Sequence, residues 1–154
     1  MSRRPKTKVS PEALKASEKP KAGKDSLSQD GTQARPVFSF EFIDRDYDGG
    51  WGWHLLTDSE SRRILDFFLE VAALTWTEVR NQRANGHRRH HYHNVESLCD
   101  VARARIESKK LDDSWDRMFR FRLGSTNRLW GFEERGIFYV VWWDPNHQVY
   151  PTEP

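Results

Sequence analysis

The sequence predicts an α+β domain in which two helices pack on a small antiparallel sheet. Three observations support this class. Apolar and polar residues alternate over residues 37–43, apolar residues recur at helical spacing between residues 58 and 110, and alternation returns from residue 119 onward. The predicted order is strand, helix, helix, strand, strand, strand, with one core shared by the helices and the sheet.

The first strand and the first helix each have a local signature. Within residues 37–43, three Phe residues alternate with polar residues, which is the period of a half-buried strand. Thr57 and Glu60 then form the Thr-x-x-Glu pattern of a capping box, and apolar residues continue behind it at helical spacing. We therefore expect one helix over residues 58–83.

A polar segment separates this helix from a second one. Residues 85–94 are polar and open with an Asn-Gly turn signal, so they are predicted to form a loop. Asn94 is a candidate N-cap for the second helix. That helix is expected to end near Lys109 and Lys110, because cations suit the negative end of a helix dipole.

Three strands are predicted after the second helix. Over residues 119–123, apolar side chains alternate with Arg120 and Arg122, which gives a strand with one apolar and one cationic face. Short turns lead to further strands over residues 128–132 and 137–143. The last of these is an uninterrupted apolar run, typical of a central strand covered on both faces.

Composition divides the 154 residues into a tail and a domain. Residues 1–36 carry nine Lys or Arg against four Asp or Glu, whereas all seven Trp, nine Phe and four Tyr follow residue 36. A segment without aromatic residues and with this charge cannot bury a core of its own. We expect a disordered basic tail over residues 1–36, a single domain over 37–151 and a short C-terminal end over 152–154. The tail is interpreted either as a solvated extension or as an electrostatic arm for nucleic acid.

Several classes of protein are excluded by composition. Cys99 is the only cysteine, so an internal disulfide framework and a thiolate zinc site cannot form. No apolar run approaches the roughly 20 residues of a membrane span, and no apolar segment follows the basic N-terminus as in a secretory signal. The expected setting is cytoplasmic and away from membranes. Nothing in the sequence indicates an oligomeric state.

The C-terminal part of the chain carries a recognisable series of features. These are a strand of alternating aromatic and Arg residues ending in Gly, an Arg-hydrophobic strand, an apolar central strand, and a His with a Tyr just beyond it. They fall on residues 119–124, 128–129 and 137–143, on His147 and on Tyr150. The series resembles the toxins of the RelE/ParE superfamily. The likeness of individual residues is limited to about residues 115–151, although the order of elements agrees from residue 37 onward.

The resemblance implies a RelE-like fold and a metal-independent endoribonuclease in which the RNA's own 2′-OH attacks the phosphate. Carried over by position, Arg122 and Arg128 neutralise the phosphate, while His147 and Tyr150 transfer protons or hold a base. Gln148 departs from the pattern, since the family often has Arg directly after the His. No cofactor is implied. The implied partners are RNA, free or on the ribosome, and an antitoxin-like protein.

A structural interpretation of the same residues stays open. Arg120 and Arg122 fit the solvent face of an amphipathic strand. His147 could bond a turn carbonyl, and Tyr150 could hold the C-terminus by packing.

The segment of residues 80–110 is the one basic part of the predicted domain. It has eight Arg or Lys against three acids, and four of the six His lie within it. A metal site of His87, His91 and His93 lacks Cys or carboxylate support in the loop. The other interpretations are a solvated polar loop and a phosphate-binding surface. The residues expected to contact RNA are Arg88, Arg89, His91, Tyr92 and Arg120.

Two hypotheses for function follow. The leading one is a RelE/ParE-like toxin-type domain that acts on RNA through Arg122, Arg128, His147 and Tyr150. The alternative is a non-catalytic module that binds protein or nucleic acid through the basic surface of residues 80–110.

Overall fold

A mixed five-stranded sheet forms the centre of the molecule, and helices cover both of its faces. The computed structural model describes residues 33–151. The elements are β1 (Val37–Ser39), α1 (Asp58–Ala72), α2 (Trp76–Asn81), β2 (Arg83–Ala84), β3 (His87–Arg88), β4 (His91–Asn94), α3 (Asp100–Ser108), β5 (Arg117–Arg122), β6 (Arg128–Glu134) and β7 (Ile137–Asp144). The strand order is β1-β7-β6-β5-β4, and β2 pairs with β3 in a separate hairpin.

The α+β class is confirmed, but the sheet is mixed rather than antiparallel. β1 runs parallel to β7, and the other three pairs are antiparallel. β1 ends at Ser39, earlier than the predicted residue 43. Alternation identifies a strand and its two faces, but it carries no information about the neighbour or its direction, so this pairing was not predictable from the pattern.

The helices α1 and α2 bury one face of the sheet. Thr57 and Glu60 form a reciprocal capping box at the start of α1, as predicted. The prediction of one helix over residues 58–83 is wrong in the middle, because Thr75 and Glu78 form a second capping box that starts α2. The apolar core on this face consists of Ile64, Phe67, Val71, Trp76, Val79, Phe119, Phe121, Leu129, Phe138, Val140 and Trp143.

The helix α3 covers the opposite face. It begins at Asp100, later than the predicted start, because residues 95–97 form a short 3-10 turn. The predicted loop over residues 85–94 is also wrong, since it contains β3 and β4. Asn85 and Gly86 both have positive φ, 55° and 81°, which is the geometry that Asn-Gly supplies in a tight hairpin. The core under α3 includes Val95, Leu98, Ala102, Ile106, Met118, Trp130, Phe132, Val141 and Trp142.

The strand β7 lies between β1 and β6 and is buried on both faces, in agreement with its uninterrupted apolar sequence. Trp142 packs in the core under α3 and Trp143 in the core under α1 and α2. The β6–β7 register shifts by one residue between Trp130 and Gly131. Val141, at this irregularity, offers its carbonyl oxygen to the Trp53 indole at 3.0 Å and to the Asp44 N–H at 3.1 Å.

Most of the predicted tail, residues 1–32, and the C-terminal residues 152–154 lie outside the described residues. Ala34 and Pro36, which are described, are buried, and the Ala34 carbonyl accepts the Trp76 N–H at 2.9 Å. The packed unit therefore includes residues just before the predicted boundary at residue 37. Within residues 33–151, no helix is long and apolar enough to cross a membrane.

A buried carboxylate joins the loop after β1 to α3 and to β7. Asp44 is 1% exposed. It accepts the Trp142 indole N–H at 2.8 Å and two N–H groups of Arg105 at 3.0 and 2.6 Å. Burial acts to raise the pKa of Asp44, but the hydrogen bonds from Arg105 and Trp142 together outweigh it and lower the pKa below its usual value.

Replacing Asp44 by Asn tests this connection. Asp44→Asn removes the charge that Arg105 and Trp142 contact, and we expect the free energy of unfolding to fall by about 1.5–3 kcal/mol, as for a hydrogen bond to a charged group. Urea denaturation near neutral pH measures the change. Asp46→Asn is the matched control, since the Asp46 side chain is 74% exposed and 3.7 Å from Lys109. An equal loss in the two variants would contradict a special role for Asp44.

Candidate functional site

Three arginines share the sheet face that α3 covers, at the end where β5 turns into β6. Arg120 and Arg122 alternate along β5 with the core residues Phe119 and Phe121 of the opposite face. Arg128 is the cross-strand partner of Arg122 in β6. Because partners across a ladder project to the same face, the three guanidinium groups converge there.

The edge strand β4 adds two histidines to this face. His91 pairs with Arg120, and His93 pairs with Met118. Their ring centroids are 6.1 Å apart. The His93 ring also lies 5.4 Å from the ring of Trp130, a residue of β6 in the core under α3. His93 therefore lies between this core and the arginines.

The turn after β7 brings a third histidine and a tyrosine to the same place. Asp144 is the cross-strand partner of Arg128. Its carboxylate accepts the N–H groups of Gln148 and Val149, both at 2.9 Å, which closes the turn. His147 lies in this turn with a left-handed φ of 57°, a conformation that costs energy in residues other than glycine. The Tyr150 ring centroid is 4.2 Å from that of His93.

We call these side chains the Arg–His cluster: Arg120, Arg122, Arg128, His91, His93, His147 and Tyr150. The turn after β7 is fixed against the β5–β6 turn, because Thr126 Oγ1 and Asn127 Nδ2 donate to the Pro145 carbonyl at 2.7 and 3.0 Å. Two neighbouring turns therefore set the position of His147 relative to Arg128.

The three arginines of the cluster have no carboxylate within salt-bridge distance in the described part of the chain. Arg120 is 7% exposed and Arg128 is 4% exposed. Their N–H groups donate to backbone carbonyls, as does Arg122 Nε, and within the described part of the chain none of the three arginines forms an ion pair. The Nε atoms of Arg120 and Arg128 have no hydrogen-bond partner in this region. Guanidinium groups without a carboxylate partner are suited to an anion with several acceptor oxygens, such as a phosphate group.

Burial and mutual repulsion perturb the pKa values of these arginines. Burial is the largest cause, and the neighbouring arginines add to it, so the pKa of Arg120 and that of Arg128 fall to about 10. Both groups stay protonated at neutral pH. Asp144 faces Arg128, but its carboxylate is engaged with backbone N–H groups and with the Trp130 indole at 3.4 Å. Its attraction acts to raise the pKa of Arg128, against burial and the charge of Arg122, but the two side chains form no salt bridge.

Two histidines of the cluster are neutral bases at neutral pH. Burial lowers the pKa of His93 to about 4, with help from the charges of Arg120, His91 and His147. Burial also lowers the pKa of His147 to about 4, with help from Arg128, Arg120 and Arg122. Among the described residues, neither Nε2 atom has a hydrogen-bond partner. A neutral imidazole with a free nitrogen can accept a proton from a bound molecule.

The structure brings together six of the nine predicted site residues. The four predicted catalytic residues, Arg122, Arg128, His147 and Tyr150, all lie in the Arg–His cluster with His91 and Arg120. The interpretation of Arg120 as a solvent-facing residue is wrong, because Arg120 is buried and its guanidinium donates to the Arg89 carbonyl at 3.3 Å. His93 was missing from the predicted site, although its i+2 spacing from His91 was the available signal.

Tyr92 does not belong to a phosphate-binding surface with His91. It alternates to the opposite face of β4, where its hydroxyl donates to Glu133 at 2.8 Å. The Arg117 guanidinium lies 3.8 Å from its ring centroid, so an aromatic face is already occupied. The prediction grouped the two residues because it treated residues 85–94 as a loop, in which side chains have no fixed alternation.

Arg88 and Arg89 are also separate from the cluster. Arg89 pairs with Glu70 of α1 at 3.2 Å, and its Nε donates to the Arg122 carbonyl at 2.9 Å. Arg88 donates to the Arg80 carbonyl at 2.9 Å. These contacts connect the β2–β3 hairpin to the helices, and they do not place the two guanidinium groups with His91. The structure therefore does not place Arg88, Arg89 and Tyr92 with His91, and RNA binding by these three residues stays a prediction.

The histidines of the basic segment lie in different parts of the fold. His87 lies in β3, whereas His91 and His93 lie in β4. No group of three or more His, Cys, Asp or Glu residues between residues 33 and 151 is arranged to hold a metal ion, so the His87, His91 and His93 interpretation does not hold. His90 is buried behind β5, where its ring bonds Gln82 at 2.8 Å and accepts the Arg122 N–H at 3.0 Å. It fixes the backbone from which Arg122 projects.

Comparisons of the chain with protein-family models, with curated proteins and with solved structures found no match. The site is therefore interpreted from its own geometry and chemistry.

The depressed histidine pKa values predict acid sensitivity. In the unfolded chain a histidine has a pKa near 6.5, whereas His93 and His147 have pKa values of about 4 in the fold. Between these values the unfolded state binds more protons, so we expect the free energy of unfolding to fall as pH falls from about 6.5 to about 4. Each histidine contributes at most about 1.4 kcal/mol per pH unit.

Urea denaturation at several pH values measures this slope. His93→Gln and His147→Gln should each make it shallower, because each removes one titrating group, and the difference from the wild type cancels the carboxylates. His54→Gln is the control, since His54 is exposed. An unchanged slope in both cluster variants would show that these imidazoles are not held neutral.

Proposed function

We propose that the chain is a RelE/ParE-like toxin-type domain that binds RNA and cleaves it at the Arg–His cluster. The observation that carries the proposal is the combination of three arginines that lack a carboxylate partner with neutral histidines whose Nε2 atoms are unpaired. The resemblance of residues 115–151 to these toxins supports the same assignment. A cytoplasmic setting, an antitoxin-like partner and a RelE-like arrangement are parts of this proposal.

The cluster contains the groups that cleavage of RNA by its own 2′-OH requires. The reaction needs a base for the hydroxyl proton, cations for the charge that develops on phosphorus, and an acid for the leaving oxygen. Arg120, Arg122 and Arg128 supply the cations. His147 is neutral and accepts the hydroxyl proton, and Tyr150, next to the histidines, donates a proton to the leaving oxygen or holds a base.

The alternative, a binding module that uses the basic surface of residues 80–110, has less support. Five of the eight cations in this segment pair with carboxylates, which reduces the charge that they offer to a polyanion. These are Arg80, Arg89, Arg103, Arg105 and Lys109.

Cleavage assays with purified protein test the proposal. We expect the wild type to cut free or ribosome-bound RNA in the presence of EDTA and to leave 2′,3′-cyclic phosphate ends. Arg122→Ala should slow cleavage on the order of 100-fold or more, because it removes a charge that stabilises the transition state. An oligonucleotide with 2′-deoxyribose at each position should not be cut, since it lacks the nucleophile.

Two control variants separate the hypotheses. Arg117→Ala removes an exposed arginine from the opposite face of the same strand and should keep full activity. The double variant Arg83→Ala/Arg88→Ala weakens the exposed basic segment and should also cleave normally. No cleavage by the wild type, combined with RNA binding that is lost only in the double variant, would favour the binding module.

A further inference from the structure

His93 occupies a position that the resemblance to the toxins does not assign. It lies on β4, the edge strand of the sheet, and not on the C-terminal segment that carries His147. Its ring is held between aromatic neighbours, with Trp130 at 5.4 Å and Tyr150 at 4.2 Å between ring centroids. The ring orientation is therefore set by two separate parts of the chain.

His93 and His147 have the same unusual environment. In the described structure, the Nε2 atom of each is enclosed and has no hydrogen-bond partner. Buried polar atoms in folded proteins nearly always have a partner, and two unpaired imidazole nitrogens beside arginines without a carboxylate partner are suited to a ligand with acceptor oxygens. Both side chains remain partly exposed, and the charge of His147 acts on His93, so the two rings share one electropositive environment beside the arginines.

We infer that His93 is the second proton-transfer residue of the Arg–His cluster and acts with His147 on a phosphate held by the arginines. The inference rests on the proposed function and deepens it, because it restricts the substrate to a phosphodiester with a neighbouring hydroxyl. Tyr150 then acts as a positioning residue, through its ring contact with His93.

The reaction step is balanced by the two imidazoles. One enters neutral and takes the proton of the 2′-OH while the bond from this oxygen to phosphorus forms. The bond from phosphorus to the 5′-oxygen breaks, and this oxygen takes a proton from the other imidazole, which enters protonated. The products are a 2′,3′-cyclic phosphate and a free 5′-OH. Proton exchange with water then restores the starting state.

A bound phosphate is what makes one protonated imidazole available at neutral pH. The groups that face the pair are His91 and Arg120 from β4 and β5, Arg122, Arg128, Asp144 and Tyr150. The positive charges among them oppose protonation in the free protein. A phosphate anion offsets this repulsion and accepts hydrogen bonds from the imidazolium, so binding favours uptake of a proton.

Nuclear magnetic resonance titration of the wild type tests this assignment without requiring activity. The ring signals of His93 and His147, assigned with the His93→Gln and His147→Gln variants, are followed against pH with and without inorganic phosphate. We expect phosphate to raise the pKa of both histidines, and the exposed His54 ring serves as the control for unspecific effects of phosphate. A shift of His147 alone would overturn the role of His93.

Cleavage of RNA gives the second measurement. His93→Gln should slow cleavage on the order of 100-fold, the lower end of the range for a proton-transfer group, and should remove one limb of the pH–rate profile. His54→Gln should keep the rate and the profile. A slow His93→Gln variant that retains both limbs would also overturn the assignment. If the wild type cuts no RNA, the proposed function fails, while the phosphate titration still decides whether His93 and His147 bind one anion.

Discussion

The geometry of the site depends on the carboxylate of Asp144 at the end of β7. It accepts two backbone N–H groups of the following turn and lies within hydrogen-bond distance of the Trp130 indole. Burial raises the pKa of this carboxyl, and the hydrogen bonds from Gln148 and Val149 act in the opposite direction. Because these contacts fix the turn, His147 is held in its left-handed conformation and Tyr150 is directed toward β4.

The Arg–His cluster is an electrostatic cost that the remainder of the fold must offset. Three arginines are brought together with backbone carbonyls as their hydrogen-bond acceptors, and burial, with help from these arginines, lowers the pKa of two histidines to about 4. A ligand that binds only the folded state stabilises it, so an anion at the cluster relieves a repulsion that the free protein carries. Charge that is unfavourable for folding is thus favourable for binding, as is common where a site is preorganised.

Two features of the structure have local signals in the sequence: the arginine face of β5 and the start of α2. Alternation was sufficient to place Arg120 and Arg122 on one face of their strand. The second capping box, which starts at Thr75, was also present in the sequence, but apolar residues continue at helical spacing across the break between the two helices. The strand β4 could not be found in the same way. Three of its four residues, His91, His93 and Asn94, are polar, and its partner lies more than twenty residues further along the chain.

The parallel pairing of β1 and the convergence of three separate segments on the cluster are likewise long-range properties. Local periodicity predicts which side of a strand a residue occupies, but it does not predict which strand lies beside it. The resemblance to the toxins grouped Arg122, Arg128, His147 and Tyr150, since their order along the chain is part of that pattern. It could not include His93, which belongs to a different segment.

A cross-strand pair of tryptophans connects the stability of the fold to the geometry of the site. Trp130 and Trp142 are partners in the β6–β7 ladder. The Trp142 indole donates to Asp44, which holds α3, and the Trp130 indole faces Asp144, which holds the turn of His147. The His93 ring packs on Trp130. Two buried carboxylates, one at α3 and one at the turn of His147, are therefore bonded by the indoles of a single cross-strand pair.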